Sequence, residues 1–139
     1  MLKIALDTNI FLSAFLFGGM TKTIFDLVLD NKLQLYISSD LQKEVLKKFK
    51  QFGANNEVLT DAKLFLEEKG IYIIPKTQVT ICRDPKDNYL LALAETAQAD
   101  FLITRDKDVL ALPNQTWKET KIVRPEEFLP FLRSIKILM

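Results

Sequence analysis

Short apolar runs alternate with stretches of helical period along the chain, and this alternation constrains the fold more than any other feature. Leu2-Lys3-Ile4-Ala5-Leu6, Leu33 to Ile37, Ile71-Tyr72-Ile73-Ile74, Phe101-Leu102-Ile103 and Lys121-Ile122-Val123 read as five short strands. Phe11, Ala14 and Phe15, then Ile24, Phe25, Leu27 and Val28, recur at helical spacing, with Gly18-Gly19 breaking two helices apart. Ser38-Ser39-Asp40 provides a cap for a helix from Leu41 to Phe52, which Gly53 stops. A further helix spans the region Val58–Lys69 and ends at Gly70. Pro85 suits the first turn of the next, whose apolar face is Leu90, Leu91, Leu93, Ala94 and Ala97, and Glu126–Leu132 closes the chain as a terminal helix. This order predicts an α/β fold: three layers, α/β/α, around a parallel sheet of about five strands covered on both faces.

At 139 residues and 48% hydrophobic, the chain reads as a single domain, 1–139, able to bury a core without a disulfide or metal staple. Nineteen basic against eighteen acidic residues leave a formal charge of +1, which argues against bulk electrostatic coating of nucleic acid or an anionic membrane. There is no histidine and a single cysteine. That excludes Ser-His-Asp and Cys-His triads, histidine acid–base ribonuclease chemistry, zinc fingers, CxxC redox centres and any disulfide within one chain. No apolar stretch reaches the ~18–20 residues of a membrane span, and the first residues lack the order of a signal peptide. The expectation is a cytoplasmic protein with no membrane partner.

The carboxylates fall where an α/β sheet places its ligands, beyond the carboxyl ends of the strands. Asp7 follows the first strand and Asp106 the fourth; Asp87 sits in the first turn of the helix before the fourth strand, and Glu44 early in the helix after the second. Each has an ordinary reading as well. Asp7, Asp84, Asp106 and Asp108 are all in positions to cap helices or turns, and Glu44 and Asp87 suit the positive end of a helix dipole. Taken together, clustered acids in a chain without histidine repel unless protonated or bridged by a cation. Oxygen-only ligation points to Mg²⁺ or Mn²⁺.

At these residues the sequence resembles a known family. Leu6-Asp7-Thr8-Asn9, Glu44, Arg83-Asp84-Pro85-Lys86-Asp87-Asn88 and Thr104-Arg105-Asp106 are similar to the acidic motifs of PIN domains, in order and spacing, over essentially the whole chain. The resemblance is to the branch of toxin components of toxin–antitoxin systems. It implies a metal-dependent endoribonuclease acting on single-stranded RNA, neutralised by an antitoxin protein, with Asp7, Glu44, Asp87 and Asp106 as the catalytic quartet. Asp7, Asp87 and Asp106 would hold the ion. Thr104 matches the family's hydroxyl and Asn9 the polar residue that steadies the first acid; Asp84 and Asp108 stand in support. Position 105, commonly glycine in the family, is Arg105 here, which either reaches a phosphate or crowds the site. Lys86, Arg105 and Lys107 border the acids and are candidates for binding substrate phosphates, or for plain solvation.

Two other classes compete: a non-catalytic RNA- or protein-binding module that keeps the acidic cleft, and an aspartate-phosphorylating phosphohydrolase. The second fits poorly, since the dehalogenase type wants Asp-x-Asp where Asn9 stands, and a receiver wants its acceptor after the third strand, where Ile74-Pro75 stands. Homo-oligomerisation stays open. Lys43, Lys47, Lys48 and Lys50 with Phe49 and Phe52 suggest a basic strip with an aromatic for stacking RNA, but the stronger reading is the wet side of a helix whose core side is Val45, Leu46, Phe49 and Phe52. The ten phenylalanines read mainly as core volume, Cys82 as a small apolar filler, and Trp117 as a seal on the sheet edge or a partner contact.

Overall fold

The computed structural model describes residues 1–138. The chain runs β1 (Leu2–Leu6), α1 (Thr8–Leu16), α2 (Met20–Leu29), β2 (Leu33–Ile37), α3 (Ser39–Gln51), α4 (Asn56–Lys69), β3 (Gly70–Tyr72) and α5 (Pro85–Ala97). It continues with β4 (Phe101–Ile103), α6 (Lys107–Leu110), β5 (Thr116–Trp117), β6 (Thr120–Val123) and α7 (Pro125–Ser134). One six-stranded sheet forms in the order β3-β2-β1-β4-β6-β5. Every pairing is parallel except that of β5 with β6 at the edge.

Burial explains why the strands carry unbroken apolar runs. Ile4, Ala5 and Leu6 are all fully buried, as are Leu102 and Ile103 beside a nearly buried Phe101. Consecutive strand residues point to opposite faces, so a continuous buried run means that helices cover both. β2 alternates instead: Leu33, Leu35 and Ile37 are buried, Gln34 and Tyr36 half-buried. Phe11, Phe25, Phe49, Phe101 and Phe128 fill the core, and Phe15 and Phe25 each stand edge-on to a neighbouring ring. Phe17 and Phe52 do not join it; Phe52 lies at the C-terminus of α3 and is 62% exposed, against its placement on the core side.

The helix signals act as read, with small shifts. Gly18 and Gly19, both at positive φ, turn the chain between α1 and α2. Ser38 caps α3 by accepting from the Leu41 amide, and Asn55 caps α4. Gly70 joins α4 to β3 where a β-carbon would meet the Ile37 side chain and the Leu66 carbonyl. The third strand is shorter than its apolar run. It ends at Tyr72 because it pairs on one side only, and the chain leaves the sheet at Pro75 with Ile74 87% exposed. Two elements had no clear pattern of their own: the four-residue helix α6 and the antiparallel edge strand β5. Trp117 packs there as part of the edge, with the Lys118 ammonium 5.1 Å over its ring.

Candidate functional site

The chain moves outward from β1 through β2 to β3, then returns to place β4 on the other side of β1. This reversal opens a crevice beyond the carboxyl ends of β1 and β4. The register Leu6↔Ile103 sets the residues after each strand side by side, and the Asp7 amide donates to the Ile103 carbonyl at 3.0 Å. Sequence positions nearly a hundred apart thus meet at one edge.

Asp7 holds the N-cap position of α1 with extended backbone, yet its side chain makes no cap bond. Its carboxylate turns instead to Thr104, whose Oγ1 donates to Oδ2 at 2.6 Å. Thr104 is fully buried and also accepts from the Asp106 amide at 2.9 Å, so one hydroxyl ties together the loops after β1 and β4. Asp106 does cap: its Oδ1 accepts from the amides of Asp108 and Val109 at the start of α6. Burial pushes the Asp7 carboxyl above its ordinary pKa, against the Thr104 bond, and the charge of Asp106 adds to the rise.

Asp87 is the most confined of the acids. Pro85 at the first helical position and the Asp84 cap, which accepts from the Lys86 amide at 3.0 Å, fix the first turn of α5. That turn points Asp87 inward, where it is 5% exposed, and no donor among the described residues bonds its carboxylate. Its pKa is pushed up to about 7, first by burial, then by Asp106, Asp7 and Asp84, with Lys86 opposing. Oxygens of Asp7, Asp87 and Asp106 all lie within 4.8 Å of one another. Three carboxylates at that spacing, one of them buried without a donor, fit a hard divalent cation, which would offset their repulsion and supply the missing partner.

Glu44 approaches from α3. It lines a cleft of about 200 Å³ with Asp7, Asp40, Lys43, Lys47, Lys86 and Tyr89. Lys86 stands between the acids, 3.7 Å from Glu44 and 3.6 Å from Asp84. Partial burial works against its charge, but Asp84 and Glu44 outweigh that and raise its pKa. The remaining predicted residues fall outside this group. Asn9 is exposed on α1, and Lys107 is exposed on α6. Asp108 pairs with Arg83 at 2.8 Å, and Arg105 is drawn away to Glu126 on α7 at 2.5 Å. Cys82 is partly buried, and burial and the nearby acids keep its thiol protonated.

The wall of the cleft holds residues that the sequence reading sets aside. Lys43 and Lys47 are exposed on the wet face of α3, and that face borders the cleft. Their spacing with Glu44 carried the signal, since positions 43, 44 and 47 share one side of a helix. Asp40 and Tyr89 had no distinguishing pattern.

The parallel sheet with its acidic crevice defines a class, and comparison with known proteins names it. Residues 3–108 match the PIN domain family, and the chain belongs to that family. An uncharacterized protein of Methanocaldococcus jannaschii is 31% identical over 141 residues, covering 92% of this chain and 90% of that protein. Among solved structures, the fold is similar to a chain in the crystal structure of VapBC2 from Rickettsia felis bound to a DNA fragment from their promoter. That match has a TM-score of 0.63 and 16% identity, covering 88% of this chain and 98% of the other. Among the described residues, no single helix is long and apolar enough to cross a membrane.

Proposed function

We propose that this chain is a divalent-metal-dependent endoribonuclease that cleaves single-stranded RNA, acting as one domain over 1–139 and as the toxin of a toxin–antitoxin pair. The observation that carries this reading is the convergence of Asp7, Asp87 and Asp106, from three separate segments, with oxygens within 4.8 Å. Family membership supports the nuclease chemistry. The resemblance to the toxin branch and the shape shared with a VapBC2 chain support an antitoxin partner.

Asp7, Asp87 and Asp106 would hold Mg²⁺ or Mn²⁺. Such an ion, when bound, polarises a phosphate oxygen and lowers the pKa of a coordinated water for in-line attack. The chain's own residues do the rest. Thr104 orients Asp7 by its hydroxyl and Asp106 by accepting from its amide, so the two carboxylates keep their relative position without substrate. Glu44, which lines the same cleft, would complete the ion's shell or orient the attacking water. Lys86, with Lys43 and Lys47 further along the cleft, offsets the charge of the phosphates on either side of the cut. Arg105 pairs with Glu126 on α7 rather than with the clustered acids.

The test is Asp7→Asn, which keeps the shape and the Thr104 hydrogen bond while removing one charge. Labelled single-stranded RNA is incubated with each protein, with Mn²⁺, with Mg²⁺ and with chelator. The expected result is metal-dependent cleavage by the wild type and its loss in the variant. Undiminished cleavage by Asp7→Asn rejects the reading.

A further inference from the structure

A second groove, of about 450 Å³, meets the acidic cleft at Asp40 and Tyr89, which line both. It runs between the first turns of α5 and the irregular segment 73–84. That segment is held at defined points. The Asn88 amide clamps Cys82 at both its N–H and its carbonyl, at 2.9 and 3.1 Å, and the Lys76 amide donates to Thr96 at 3.0 Å. The groove is therefore built before any ligand arrives.

Its chemistry differs from that of the cleft. The cleft carries Lys43, Lys47 and Lys86, whereas among the described residues no cation lines the groove, which carries the Asp40 carboxylate. The groove offers Ile74, Pro75 and Val79 as apolar surface and the exposed Gln78 amide as donor and acceptor. Tyr89, 48% exposed, stands on the ridge between the two. Phosphates belong with the lysines. The Asp40 carboxylate at the groove's junction with the cleft repels phosphate, and the aromatic edge and the Gln78 amide suit the flat, apolar-faced, polar-edged shape of a base.

We propose that this groove receives a nucleobase flanking the cleaved phosphate of single-stranded RNA, stacked on Tyr89, with Gln78 at the base edge. The proposal rests on the ribonuclease reading for its substrate, and names where the strand continues once it leaves the acids. It also accounts for an isoleucine at position 74 that is 87% exposed just past the end of β3.

Two measurements separate this proposal from the reading beneath it. The first is binding of a fluorescent ten-nucleotide RNA in Mn²⁺, followed by anisotropy in the Asp87→Asn background, where turnover does not interfere. Tyr89→Ala and, independently, Ile74→Ser should weaken binding; stacking energies measured by alanine substitution correspond to losses of roughly 5- to 150-fold, and a half-exposed ring belongs at the lower end. Tyr89→Phe should bind as the parent does. The second is cleavage in the wild-type background, where Ile74→Ser, at a residue that lines the groove but not the cleft, should lower kcat/KM for the ten-nucleotide RNA, while an abasic ribose-phosphate ten-mer, which has no base to seat in the groove, is cut equally by wild type and variant. Both substituted residues are exposed, and melting curves confirm folding. Binding that is absent in the parent, or unchanged in both Tyr89→Ala and Ile74→Ser, overturns the groove even if RNA is cleaved. Binding that depends on Tyr89 without any cleavage by the wild type retains the groove and rejects the nuclease.

Discussion

The Thr104 hydroxyl donates to the Asp7 carboxylate at 2.6 Å across 97 positions of sequence, and at the same time accepts the Asp106 amide at 2.9 Å. A single buried oxygen thereby sets the distance between two of the three clustered acids. Thr104→Val keeps the shape and removes both bonds. It leaves the Asp106 amide without its acceptor, a loss of about 1–3 kcal/mol in stability. Thr104→Ser keeps both bonds and should retain most of the stability and of the metal-induced rise in Tm. Denaturant unfolding with and without Mn²⁺ checks this; a valine variant as stable and as metal-responsive as the serine variant contradicts the arrangement.

Asp87 makes the metal-free protein pH-sensitive. Its folded pKa is raised to about 7, so between the unfolded value near 4 and about 7 the folded state holds a proton that the unfolded state has lost. Stability is then highest below about pH 4 as far as this group is concerned, falls as pH rises toward 7, and levels off above. The contribution is at most about 4 kcal/mol. Asp87→Asn should flatten that slope and raise the metal-free Tm at pH 8. Mn²⁺ should reverse the wild-type trend, since it binds the deprotonated carboxylates and gains affinity as pH rises. Tm measured from pH 4 to pH 8 in chelator and in Mn²⁺ tests all three statements.

Lys86 faces Glu44 and Asp84 and lies close enough to Asp7 and Asp87 to oppose the rise in their pKa values. It competes with any cation for the same negative field. Lys86→Met should therefore tighten Mn²⁺ binding by calorimetry and weaken binding of single-stranded RNA. A variant in which both affinities fall together points to a structural role for the lysine.

Few lysines line the cleft, and the net charge is +1, so RNA binding should release few counterions. Two or three phosphate contacts correspond to a slope of log K against log salt of about −1.4 to −2.1. Lys47→Ala should reduce its magnitude by about 0.7. A slope reflecting six or more phosphates requires a binding surface beyond the cleft and groove.

Much of this protein is legible in the chain itself. Strand runs such as Leu2–Leu6 and Phe101–Ile103, the Gly18-Gly19 break, the Ser38 cap and Pro85 at a first helical turn are local signals. They act through the backbone conformation of a few neighbours, so they survive reading without a structure. The acids after the strands, with the Thr104-Arg105-Asp106 segment, carried the family by pattern alone. What depended on tertiary structure was direction and environment. Asp7 and Asp106 both occupy N-cap positions, yet one carboxylate caps and the other turns to Thr104, because β1 and β4 are neighbours in the sheet. Arg105 and Asp87 differ for the same reason. Arg105 finds Glu126 on a helix that follows it by some twenty residues, while Asp87 is enclosed by elements contributed from both ends of the chain. Strand order, partner choice and burial arise from contacts between distant segments, and no local spacing encodes them.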